Sequence, residues 1–130
     1  MGLDMYFWTA ASCKEDPEDP GAVFVPEGVL KSELAYYRKF NALHDWFRIK
    51  YEELGGNSSQ FNCIKVLITD DILNDLETDC YAKALIPVEG FFFGSQEEVS
   101  DEEYEDILDL IDRIKKAMKH GDVVMYDSWW

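Results

Sequence analysis

Basic residues are scarce in this chain: 12 Lys and Arg stand against 27 Asp and Glu, for a formal charge of -15. That deficit argues against nucleic acid or an anionic membrane surface as a partner, because both are polyanions that recruit cations. A basic partner is left open. Cysteine is sparse too. Cys13, Cys63 and Cys80 are odd in number and form no CxxC pair, which suits reduced thiols in a cytosolic protein, a single disulfide being the alternative. No apolar run approaches the ~20 residues needed to span a bilayer. Asp4 precedes any apolar run and there is no basic n-region, which speaks against a secretory signal. The expectation is a soluble cytoplasmic protein.

Catalytic signatures are also missing. The chain has no GxSxG, HExxH or paired-cysteine motif, and Gly90 and Gly94 are not followed by the Lys-Ser or Lys-Thr of a phosphate loop. Its acidic runs do not have the Asp-x-Asp-x-Asp-Gly spacing of a calcium loop. With only two histidines, His44 and His120, neither a metal centre nor a cofactor is expected, and a non-enzymatic protein is favoured over an enzyme.

What is present is core-forming material: 47% hydrophobic and 15% aromatic residues, enough for one domain over residues 1–130. Leu3, Met5 and Phe7 alternate with Asp4, Tyr6 and Trp8, the period of a half-buried strand. Residues 12–21 combine two prolines with four acids and read as an exposed loop, and residues 22–25 as an edge strand stopped by Pro26 and Gly28. Tyr36, Phe40, Leu43, Phe47, Tyr51 and Leu54 recur at steps of three and four, predicting one amphipathic helix over 32–54. Gly55 and Gly56 end it.

Residues 63–69 have the β-branched content of a strand, and Thr69 caps a second helix over 70–85 whose inner face is Ile72, Leu73, Leu76 and Cys80. Ser100 and Glu103 form a capping box for a third helix with Tyr104, Ile107, Leu108, Ile111, Ile114 and Met118 on one face, ended by Gly121. Residues 122–126 read as a closing strand. The predicted class is α+β, a small single domain with three helices on one face of a short, mainly antiparallel sheet.

Four blocks carry a resemblance: residues 1–6 (Met-Gly-Leu-Asp-Met-Tyr); residues 36–47, with Tyr36, Arg38, Lys39, Asn41, His44, Trp46 and Phe47; Leu85-Ile86-Pro87 with Gly90-Phe91-Phe92-Phe93-Gly94-Ser95; and Tyr126-Asp127-Ser128-Trp129. Together they resemble a family of small proteins encoded in bacteriophages and prophages. Tyr37 stands where the family has Trp. The resemblance implies a genomic setting, with the host cytoplasm as location, and no particular reaction.

Two candidate sites follow. Tyr37, Asn41, His44 and Arg48 make a polar row at helical spacing, which with Phe91, Phe92, Phe93 and Ser95 could wall a pocket for a planar, nucleotide-like anion. The structural alternative is that Asn41 and His44 tie the aromatic loop or the terminal strand to the helix. The second site is the acidic run that includes Glu97, Glu98, Asp101, Glu102, Glu105, Asp106, Asp109 and Asp112, suited to a basic surface on a host protein. Its alternative is a solvated helix face. A host-protein binder with an anti-defence or inhibitor role is the leading expectation, a small-ligand binder the other. Trp8, Trp46, Trp129 and Trp130 fit either a core or a dimer surface.

Overall fold

In the computed structural model, which describes residues 2–87, 89–90, 94–95 and 98–130, the chain opens with β1 (Asp4–Ala10). Met5 and Phe7 are fully buried while Asp4, Tyr6 and Trp8 are only partly so, the anticipated alternation. β2 (Lys14–Asp16) and β3 (Asp19–Phe24) then pair as a hairpin: residues 22–24 are strand as anticipated, while much of 12–21, expected as a loop, is strand too. Asp16 makes the turn by accepting a hydrogen bond from the Glu18 backbone N–H at 2.9 Å. Pro20 is tolerated because this is a two-stranded ribbon rather than a central strand.

The largest departure from expectation is the helix predicted over 32–54, which is two elements. Lys31–Arg38 is strand β4, paired antiparallel with β1, and the helix α1 runs only over Asn41–Glu53. Lys39, at φ 59°, makes the corner, and its N–H donates to the Leu3 carbonyl at 2.9 Å. Helix-favouring residues such as Glu33, Leu34 and Ala35 are overridden because β1 offers them a row of backbone partners, a tertiary effect no local periodicity reports. The register slips between Phe7 and Trp8, leaving Leu34 as the extra residue of a bulge. The Arg113 guanidinium donates to the carbonyl of Leu34, covering part of this edge strand.

β5 is confined to Val66–Leu67, although the Cys63 and Ile68 N–H groups on either side still donate to Ser128 and Val124 of the terminal strand. α2 (Asp70–Tyr81) starts at the expected Thr69 cap, whose hydroxyl accepts from the Ile72 N–H at 3.3 Å, and buries the four expected residues. It stops short of residue 85, with Ala82 as cap and Lys83 at φ 52°. The short strands β6 (Glu89–Gly90) and β7 (Gly94–Ser95) pair antiparallel. α3 (Asp101–Lys119) has the complete Ser100–Glu103 capping box and buries Tyr104, Ile107, Leu110, Ile111 and Ile114. The closing strand, β8, extends past residue 126 to cover Val123–Trp129.

The main sheet has the order β4-β1-β8-β5, antiparallel at each pairing. The fold is thus α+β, three helices with a mainly antiparallel sheet. α1 meets the sheet through Phe47, whose ring stacks on Tyr126 at 4.2 Å and meets Phe7 edge-on at 5.7 Å. Among the described residues no helix is long and apolar enough to cross a membrane.

The opposite sheet face carries its own cover. Tyr6 stacks on Trp8 at 5.2 Å and contacts Tyr36, while Lys31 Nζ lies 4.1 Å over the Trp8 ring. The Trp8 indole N–H donates to Asp127 at 3.2 Å, and Lys65 pairs with that carboxylate. Of the other tryptophans, Trp46 is buried and Trp129 is 63% exposed, whereas Trp130 is held by its backbone and indole N–H groups on Asn62 and Phe61.

Candidate functional site

The predicted polar row is divided by the break at Lys39. Tyr37 lies on β4, so it does not continue the row that Asn41, His44 and Arg48 make on α1. Burial pushes the Tyr37 hydroxyl up, Asp106 and Asp109 of α3 add to this, and Arg113 opposes it, which places this ring beside the acidic helix. Asn41 and His44 are in the core, 1% and 3% exposed. Arg48 is at the surface and donates to Asp45 at 2.7 Å and Glu52 at 2.9 Å.

His44 Nδ1 shares a hydrogen bond of 2.6 Å with the Tyr126 hydroxyl. Burial is the main cause that lowers the His44 pKa to about 4, with Asp45 opposing and Arg48 reinforcing the shift. Tyr126, fully buried, is pushed well above the ordinary tyrosine value by the same desolvation. At neutral pH the pair is uncharged and sealed from solvent, and it joins α1 to the terminal strand. Of the predicted lining, Phe91, Phe92, Phe93 and the Ser95 side chain lie outside the described residues.

The acidic run is a surface feature of α3. Asp101, Glu102, Glu105, Asp106, Asp109 and Asp112 are exposed, as is Glu98 ahead of the helix, while Glu97 lies outside the described residues. Glu103 belongs to the cap, and Asp101 pairs with Lys83 at 2.7 Å. Among the described residues no cation comes within ion-pair distance of Glu98, Glu102, Glu105, Asp106, Asp109 or Asp112. Acids in a first helical turn complement the dipole, but Glu105, Asp106, Asp109 and Asp112 lie beyond it. Glu105, Asp106 and Asp109 meet like charges three and four residues away, an arrangement that costs a few tenths of a kcal/mol per pair, whereas Asp109 and Asp112 also stand four residues before Arg113 and Lys116. The helix's cations, Arg113, Lys115, Lys116 and Lys119, are all gathered in its C-terminal half.

His120 is the C-cap residue of α3, its backbone N–H donating to the Lys116 and Ala117 carbonyls at 3.2 Å. All three cysteines are free; Cys80 is buried, and its thiol is pushed up to about 12 by desolvation, with Asp79 and Glu77 adding. Among the described residues no group of three or more His, Cys, Asp or Glu is placed to hold a metal ion.

Sequence reasoning overlooked one further place, a cleft between α1 and the residues after α2. Trp46 and Asp79 meet there, the indole N–H donating to the carboxylate at 2.8 Å across 33 residues of chain, a separation that leaves no local signal. A scan of this chain against protein-family models finds no match, and searches of curated proteins and of solved structures find none either.

Proposed function

We propose that this is a non-enzymatic binding protein whose exposed α3 face docks a basic surface on another protein. The observation that carries this reading is the exposed row Glu102, Glu105, Asp106 and Asp109, whose members face one another at three- and four-residue spacing and, among the described residues, form no ion pair. Such a row concentrates negative potential on one face, steers a cationic surface into contact and rejects anionic ones. The resemblance to small phage-encoded proteins suggests a host protein as the partner and an inhibitory or anti-defence role.

Among the described residues, nothing in the geometry favours the small-ligand alternative. Asn41 and His44 are enclosed, and Arg48 is committed to two carboxylates. The test is affinity capture from host cytoplasm by the untagged protein and by a Glu105→Lys, Asp109→Lys variant, with captured chains identified by mass spectrometry. A basic protein held by the wild type, lost with the variant and released at about 1 M salt, where screening acts beyond about 3 Å, is the expected result. Equal capture by both proteins contradicts the reading.

A further inference from the structure

We propose that the cleft between α1 and the residues following α2 receives one arginine side chain of the basic partner. This rests on the reading above and adds an anchor to it. The cleft has a volume of about 230 Å³, and its lining includes Asp45, Trp46, Ile49, Glu53, Asp79 and Ile86. Pockets for drug-sized ligands measure about 300–1,000 Å³, so this space suits a side chain better than a nucleotide.

Its chemistry selects a cation on an aliphatic stem. Asp45, Glu53 and Asp79 contribute three carboxylates, and Lys50, the one cation among the described lining residues, is already engaged by Asp75 at 2.8 Å and Glu53 at 3.6 Å. Each lining carboxylate has a partner in the fold, yet an ionised carboxylate accepts about four hydrogen bonds, so acceptor capacity remains. The Trp46 ring attracts positive charge: Lys50 Nζ lies 5.0 Å from its centroid. At the mouth, Ile49 and Ile86 are 44% and 73% exposed, apolar surface that the fold leaves uncovered and a methylene stem would cover.

Arginine fits these features better than lysine. Its planar, weakly hydrated guanidinium both stacks on indole and forks onto carboxylates, and Trp and Arg dominate the hot spots of protein interfaces. The cleft also adjoins the acidic helix. The Leu85 N–H donates to the Tyr104 hydroxyl of α3 at 3.2 Å, and Lys83 pairs with Asp101, so one partner surface can reach both.

The test follows the Trp46 indole N–H resonance by 15N NMR, assigned through Trp46→Phe, during titration with Nα-acetyl-arginine N-methylamide. A saturable shift is expected, weakened at least threefold in Asp79→Asn, which keeps an acceptor for the indole but removes the charge. Glu53→Gln, at an exposed position, serves as a second variant and should weaken the shift as well. The uncharged citrulline analogue should leave the resonance unmoved. An absent shift, an equal shift with citrulline, or tighter saturation by free spermidine, which would mark a small-amine site, each overturns the proposal. Glu105→Lys, Asp109→Lys must leave this titration unchanged. If the titration fails while that variant still abolishes partner capture, the cleft inference falls and the acidic-face reading stands.

Discussion

The Nδ1 of His44 and the hydroxyl of Tyr126 are 2.6 Å apart in the core, linking the first helix to the last strand across 82 residues of sequence. The imidazole is uncharged there, with its pKa lowered from 6.5 to about 4 by burial. Between these values the unfolded chain binds more protons than the folded one, so stability increases with pH. The contribution is present in full above pH 6.5 and is lost as pH falls toward 4. The shift corresponds to roughly 3 kcal/mol. Urea unfolding at pH 7, 5.5 and 4.5 should show this slope, and His44→Gln should flatten it.

Gly56→Ala is predicted to cost about 2–3 kcal/mol. A Cβ at that position would overlap the ring of Tyr51, which is fully buried and whose hydroxyl is pinned between Asp19 and the Ser58 N–H. Gly28→Ala, at φ 86° with open space around it, should cost only about 1 kcal/mol from backbone strain. Chemical denaturation of the two variants separates close approach from conformational freedom.

Trp8→Ala is expected to destabilise by about 2–3 kcal/mol, less than the 3–5 typical of a core tryptophan. It removes the ring between Lys31 and Tyr6 and the indole donor to Asp127, on the sheet face that the helices leave uncovered. A loss below about 0.5 kcal/mol in thermal or urea unfolding would show that this aromatic ladder does not help hold the sheet.

The parts of this fold legible in the sequence are those decided within a few residues. The Thr69 cap, the Ser100–Glu103 box and the inner face of α2 each depend on neighbours at most four positions apart, and each was readable. Leu110 was missed on the inner face of α3, where it is 1% exposed. The strand β4 was not legible, because Leu34, Ala35 and Tyr36 satisfy helical spacing and become strand only by pairing with β1 some thirty residues earlier. The same break explains the candidate site. Tyr37 went to β4 beside the acidic helix, and Asn41 and His44 sank into the core, outcomes set by the Lys39 corner and by Tyr126. The acidic face itself was readable as charge; which of its carboxylates form ion pairs needed the positions of Lys83 and Lys115.

Function and stability should oppose each other on α3. Glu105→Gln, Asp109→Asn removes like-charge neighbours and should stabilise the chain by about 0.5 kcal/mol in total. The gain should shrink in high salt. Differential scanning calorimetry at low and high ionic strength measures both effects, and a loss of stability would mean these carboxylates have structural partners.

The most direct test of the acidic-face reading is the affinity of the captured partner for three proteins by calorimetry: wild type, Glu105→Lys with Asp109→Lys, and His44→Gln. Binding through α3 predicts at least a tenfold weaker dissociation constant, about 1.4 kcal/mol, for the charge-reversed protein and no change for His44→Gln. Undiminished binding by the charge-reversed protein, with binding lost instead in His44→Gln while that variant remains folded, would contradict it.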